Sequence, residues 1–334
     1  MTRRVCLRSV DGDPANTLPV IDWSIALFYA AGQRALGGGA IFASLDGLAW
    51  EIVYTDERKK PPKATRIYDV AMGDGLLVAG GGHTSHGGDS CFFYSENGRD
   101  WKEGSGYSTS KDGENQDFGA SVFSVAYGAG KYVSHGGAPA HGWYFDCKSN
   151  DGKEWTAPEK VKSFNIGSIY KCMYGHDRFV GIGGHNRVAI STDGETWENA
   201  DQEKVPSLIA IGYANGLFIG GGMHGLLAFS ENGFDWTITN GERIGDHIKA
   251  IIATETGIVA IGIEVTYRSE DGKNWHREVS NARPAQVCYG QGRFIALNGR
   301  GTKVYYSDDA VNWLRGSDIS DAFINGGIIY SETL

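Results

Sequence analysis

No run of 18 apolar residues occurs in this 334-residue chain, so no segment has the length and apolarity of a membrane-spanning helix. No stretch shows the 3.6-residue apolar spacing of an amphipathic helix, which argues against a helical array. Basic charge is in short supply: 31 Lys and Arg stand against 40 Asp and Glu, for a net charge of −9. That balance argues against nucleic acid as a partner. The one basic stretch, Arg58-Lys59-Lys60-Pro61-Pro62-Lys63, is short and reads as a solvated loop. Cysteines are few and scattered, at positions 6, 91, 147, 172 and 288, without metal-type spacing. They fall on predicted strands, where a free thiol behaves as a small hydrophobe, and such a set fits a reducing site of synthesis. Residues 1–8 are charged and no apolar segment follows before Asp11, so the expectation is a protein made in the cytoplasm without a signal peptide.

Catalytic motifs are missing as well. There is no Gly-x-Ser-x-Gly elbow and no phosphate-binding loop. His83 and His86 have the i, i+3 spacing of metal ligands, but no third ligand pattern lies nearby. Asp112 to Asp117 is acidic but departs from a calcium-binding loop. No catalytic residue, metal or cofactor is assigned on these grounds.

What the chain does have is a phrase repeated seven times: Ser, any residue, Asp or Asn, usually Gly, two residues, then Trp. The copies end at Trp50, Trp101, Trp155, Trp197, Trp236, Trp275 and Trp313, in steps of 51, 54, 42, 39, 39 and 38 residues. A period near 40 belongs to a solenoid, array or propeller. Within Lys171 to Trp197, three short β-prone runs are separated by Gly175-His176-Asp177, by Gly183-Gly184 and, before the tryptophan, by Asp193-Gly194. Four strands per repeat make a meander, and meanders of this length arranged radially make a β-propeller. The Asx side chain can hold its turn by bonding backbone N–H groups, and Gly takes the positive φ that such a turn asks for. The tryptophan is expected to pack against the next repeat. Ala310 stands where the last copy should have Gly, so that turn is expected to be strained or of another type.

A further copy at Ser9 to Ala15 lacks its Trp, and Val5 to Arg8 before it reads as a third strand. At the other end Ala322-Phe323-Ile324, Asn325-Gly326-Gly327 and Ile328 to Ser331 read as first strand, turn and second strand. Joined, the two ends would complete one repeat and remove the free sheet edges. The expectation is therefore an all-β protein: one propeller domain over residues 1–334, of four-stranded antiparallel blades, eight in number with one split between the termini. The alternative is seven blades with the termini as ornament.

The repeated phrase resembles the Asp-box (BNR) repeat of sialidases and many unrelated propellers, in a compact form one residue shorter between Asp and Trp. In that family the box is a folding device on an outer hairpin, so the resemblance implies architecture rather than activity. Sialidases also need an arginine triad, a Tyr–Glu pair and an acidic general acid. Arg66-Ile67-Tyr68 comes nearest to their first arginine motif but lacks its Pro, and only Arg300 maps to the expected site face. Sialidase activity is rejected on that basis.

The face opposite the repeated turns surrounds the channel mouth. Aligned second strands put His83, Ala138, His185, His224, Glu264 and Arg300 in one column there. Aligned first strands put Asp69, Ser124, Lys171, Ala210, Ala250 and Gln286 in another, facing the channel. Trp143 lies outside the repeated phrase and suits stacking on a sugar or packing on a protein. The candidate ligand-binding residues are thus His83, His185, His224, Glu264, Arg300, Trp143 and Asp69. The expected function is a non-catalytic scaffold or adhesion module for a glycan or protein partner, in a larger assembly. Its most concrete version, by resemblance, is a phage virion decoration or tail-associated protein. The alternative is a carbohydrate-active hydrolase or lyase working at the channel mouth. A weaker third reading is an assembly factor similar to the propellers that help build photosynthetic complexes.

Overall fold

The computed structural model describes residues 6–9, 17–20, 27–35, 37–57, 66–82, 91–105, 121–138, 143–156, 169–184, 186–239, 247–281, 283–298, 302–319 and 322–331. Apart from one turn of 3₁₀-helix at Met223–Gly225, their regular structure is all β. The Trp197 blade shows the plan: Ile169–Gly175, Arg178–Gly183, Arg187–Ser191 and Glu198–Asn199 pair in sequence, each antiparallel to the last. The Trp236, Trp275 and Trp313 blades repeat it, opening on Leu208–Ala214, Ile248–Thr254 and Gln286–Gly290. First and second strands are mostly joined by two-residue loops. In Asp74-Gly75, Ala129-Gly130, His176-Asp177, Asn215-Gly216 and Gln291-Gly292 both residues have positive φ, the turn geometry whose twist matches that of the strands.

The blade count differs from both expectations. The described residues form five separate four-stranded blades, one seven-stranded sheet and one two-stranded sheet, not eight or seven four-stranded blades. Three features overturn the count. Ala322–Ser331 is one strand, because Asn325-Gly326-Gly327 forms an irregularity between Ile324 and Ile328 rather than a hairpin turn. This strand pairs with Leu27–Arg34 and completes a blade with Gly39–Ser44 and Glu51–Thr55, so the C-terminus closes the ring as its inner strand. At the N-terminal end, among the described residues, Cys6–Ser9 pairs only with Thr17–Val20. The long repeats around Trp101 and Trp155 share the seven-stranded sheet, joined by the single pair Ser121↔Gly82. The Trp155 unit has three strands, Ser121–Gly128, Lys131–Ala138 and Trp143–Ser149; beyond them Glu154 makes only an isolated bridge to Ser105.

The repeated turn is built alike in all seven copies. Ser191 Oγ donates to Asp193 Oδ1 (2.9 Å), and that oxygen accepts the N–H groups of Glu195 (2.7 Å) and Thr196 (2.8 Å). These backbone donors, that of Thr196 first, hold the Asp193 carboxyl down at about 2. In five copies the indole N–H also donates to the carbonyl of the turn residue, as from Trp50 to Gly47 at 2.8 Å. Ala310 takes the same turn as the glycines, with φ of 54°, and is fully buried.

These turns are also how neighbouring units meet. Gly47, Gly98, Gly152, Gly194, Gly233 and Gly272 abut Ile295, Tyr29, Val78, Val133, Val180 and Ile219, each on the second strand of the preceding unit. The tryptophans face the same way, toward the preceding unit rather than the next. Trp155 stacks on Phe92 with centroids 3.8 Å apart and planes 7° from parallel, and Trp313 packs with Val259 and Ile261. The hydrophobic clusters consequently lie between blades, each drawing on two neighbours. His135 is buried at one such joint, with its ring 4.6 Å from that of Trp197 and neither ring nitrogen hydrogen-bonded among the described residues. Desolvation pushes it down from 6.5 to about 4.

Two outcomes follow from this packing. A Cβ on Gly194 would lie 2.7 Å from Val133 Cγ1 at a φ of +72°. Gly194→Ala is therefore expected to cost about 2–4 kcal/mol by chemical denaturation, adding left-handed strain to overpacking. His135 binds a proton more readily unfolded than folded. Its contribution to stability is present above pH 6.5 and lost as pH falls toward about 4, by up to about 3 kcal/mol. His135→Leu should flatten that part of the acid limb in denaturation midpoints measured from pH 7 to 4.

Candidate functional site

The inner strands touch in sequence around a ring, from Ala322–Ser331 through Arg66–Gly73, Ser121–Gly128, Ile169–Gly175, Leu208–Ala214, Ile248–Thr254 and Gln286–Gly290 back to the first. They enclose a channel cavity of about 410 Å³. Five of these strands carry a register shift near their start, and the skipped residues are Tyr68, Phe123, Tyr170, Ile209 and Lys249. A bulge turns a side chain that would otherwise follow the pleat, and here the bulges sit at one end of the channel. That end is where second strands finish, so it is the face opposite the repeated turns.

Three successive bulges present aromatic rings as a continuous arc. Tyr68 meets Phe123 edge-on at 5.8 Å, and Phe123 meets Tyr170 at 5.9 Å. The Arg66 guanidinium lies 5.5 Å from the Tyr68 ring centre, and its Nε donates to Gln33 Oε1 (3.0 Å). Tyr170 is 47% exposed, unusual for so large a ring on an inner strand. The channel-facing column of the sequence reading comes one residue later and lines the same cavity with Asp69, Ser124, Lys171, Ala250 and Gln286. Asp69 Oδ2 accepts the Val125 N–H (3.0 Å) and Ser124 Oγ accepts the Cys172 N–H (3.0 Å), so polar side chains stitch one inner strand to the next. Lys171 reaches past the intervening strand Leu208–Ala214 to donate to the Lys249 carbonyl at 3.4 Å. Burial pushes the Asp69 carboxyl up to about 6, against the lowering effect of the Val125 and Val70 N–H groups and the Lys171 charge. Burial also pushes Lys171 down, with Asp69 opposing and Lys249 assisting.

The other expected site residues fare differently. His83, His185 and Arg300 lie outside the described residues, as do His86 and the acidic segment 112–117. His224 and Glu264 stand at equivalent left-handed positions in adjacent blades, with φ of 56° and 58°, and both are exposed. His224 is 6.0 Å edge-on from His247, while Glu264 accepts from Arg283 Nε at 2.9 Å. Trp143 opens a strand, its backbone paired with Ala138, rather than standing on a loop. Among the described residues no three His, Cys, Asp or Glu side chains form a metal-ligand group. A groove of about 560 Å³ lined by Thr256 to Val259, Arg268 to Asp271 and Asn274 to His276 lies on an outer edge. There Arg268 is taken up by Glu278, and Asp271 by the N–H groups of Lys273 and Asn274. The aromatic arc is what the sequence reading missed. Its signal was present one position before the Asp69 column, where Tyr68, Phe123 and Tyr170 recur in three successive repeats.

No family model matches the chain, and no curated protein matches it. Solved structures do. The periplasmic gluconolactonase of Pseudomonas aeruginosa superposes with a TM-score of 0.61 at 7% identity, over 93% of this chain and 99% of that one. The WD40 β-propeller domain of Doa1 gives 0.53 at 10% identity, over 80% and 90% of the two chains. YCF48 bound to D1 peptide gives 0.53 at 14% identity, over 76% and 81%. The shared feature is the β-propeller fold. At such identities the likeness extends to architecture and no further.

Asp69 generates a pH prediction. Its raised value means that the folded state holds the proton more tightly, so its stabilising effect is complete below pH 3.8 and lost as pH rises through about 6, by up to about 3 kcal/mol. Asp69→Asn keeps an acceptor for the Val125 N–H. It should gain on the wild type in denaturation midpoint between pH 4 and 7, a comparison in which His135 cancels.

Proposed function

We propose that the protein is a non-catalytic β-propeller scaffold that grips an extended segment of a protein partner at the channel mouth. The observation that carries this reading is the arc of half-buried Tyr68 and Phe123 and exposed Tyr170 on the bulged inner strands, flanked by Arg66. Aromatic rings and arginine held on rigid strands have the character of interface hot spots, since little side-chain freedom is lost on binding. The peptide bound to YCF48 and the WD40 domain of Doa1 are properties of those proteins; they support the reading by showing what the architecture can carry. Glu264, one of the carboxylates that the enzymatic alternative would use beside Asp69 and Asp89, is ion-paired with Arg283. We further read the repeated turn as a compact Asp-box, a folding device in this reading rather than part of the site.

The test is selection of binders from a random peptide library, with affinities measured by fluorescence anisotropy. Tyr170→Ala and Phe123→Ala should each weaken the selected peptides about tenfold or more, about 1.4 kcal/mol, without moving the denaturation midpoint. A glycan array and a reducing-sugar assay run in parallel. Glycan binding without peptide binding, or sugar release that Glu264→Gln abolishes, would overturn the proposal.

A further inference from the structure

Just inside the aromatic arc the channel wall is basic, in a chain that is acidic as a whole. Lys171 and Lys249 line the cavity from strands that are not neighbours in the ring, and Asp69 is the acidic group whose charge acts on Lys171. An ammonium group has three donors to satisfy, and leaving them unmet away from bulk water is costly. The hydrogen bond Lys171 makes among the described residues is a long one, 3.4 Å to the Lys249 carbonyl. Asp69 meanwhile has its oxygen engaged by the Val125 N–H, and its burial favours the neutral acid, so it offsets the two lysines incompletely. The surrounding wall supplies Ser124 and Gln286 as neutral polar groups, and Val70, Val125 and Ile251 as apolar ones that limit competing water. Two cations and apolar walls in a cavity of about 410 Å³, only partly offset by Asp69, form a receptor for a compact negative group.

We propose that the channel throat is an oxyanion site, in which Lys171 and Lys249 hold a carboxylate- or phosphate-sized group beside Asp69. The site does not rest on the peptide reading of the mouth above it. Its chemistry has two sources, a free small anion or an acidic side chain offered by a partner, and the measurement separates them.

The experiment is calorimetric titration of the full chain with inorganic phosphate and with malonate, at low ionic strength. Saturable one-to-one binding is expected. Lys171→Met should weaken it at least tenfold, and Asp69→Asn should tighten it severalfold by removing a like charge. Tyr170→Ala should leave it unchanged, so failure at the mouth and failure in the throat are distinguishable. Displacement of phosphate by a short Glu-containing peptide, but not by its Gln counterpart, assigns the anion to a partner's side chain. Phosphate binding without such displacement assigns it to a free anion. The proposal is overturned if neither anion binds saturably, or if Lys171→Met leaves binding intact. Lys171→Arg, which keeps the charge, guards against misfolding: it should retain binding that Lys171→Met loses, and equal loss in both with a lowered denaturation midpoint counts against the site.

Discussion

Everything in this molecule depends on the joint between one unit and the one before it. A four-stranded meander has two faces to cover and cannot cover both by itself. Each unit solves this by laying its third-to-fourth-strand turn on the second strand of its predecessor. Six of the seven turns use glycine there, favoured by the positive φ of the turn and by the proximity of residues such as Val133 and Val180, and Ala310 takes the same conformation in the last. Hydrogen bonds tie the same joint from the other side: Arg178 Nη1 donates to the Asn232 carbonyl (3.1 Å) and Asn215 Nδ2 to that of Glu270 (2.8 Å). The core is therefore a set of inter-blade wedges, with Trp197 and its counterparts as their outer ends.

Closing the ring brings the inner strands together, and closure creates the site. Gly326 and Gly327, which look like a hairpin turn in the sequence, instead let the C-terminal strand lie against Ala31 and Asp69, where a side chain on either would collide. Asp69 is thereby enclosed, and enclosure rather than any particular partner raises its pKa. The same convergence brings Lys171 within reach of Lys249, two strands along the ring. One geometric event, the meeting of strands distant in sequence, produces a half-buried acid, two cations and an aromatic rim within one cavity.

The legible part of the fold was the part written in local chemistry. Ser191, Asp193, Gly194 and Trp197 form their turn through contacts within seven residues, so their spacing alone announced the hairpin, its period and the propeller. The inner-strand column of Asp69, Ser124 and Lys171 was legible for a related reason, since repeats that align in sequence align around the ring. The aromatic arc escaped because a bulge breaks the two-residue alternation, and whether Tyr68 follows the pleat or leaves it depends on its pairing with the second strand. The blade count escaped because Asn325-Gly326-Gly327 has turn chemistry but meets Leu27–Arg34 before it can fold back.

By itself, then, the sequence determined the unit: an all-β meander, its tight turns and its repeat, because each rests on interactions between residues close along the chain. The tertiary structure alone decided how the units close, which way the tryptophans face, and which side chains share the channel. Those outcomes are set by contacts between strands tens to hundreds of residues apart, such as Ile328 with Ala30, whose energies no local pattern records.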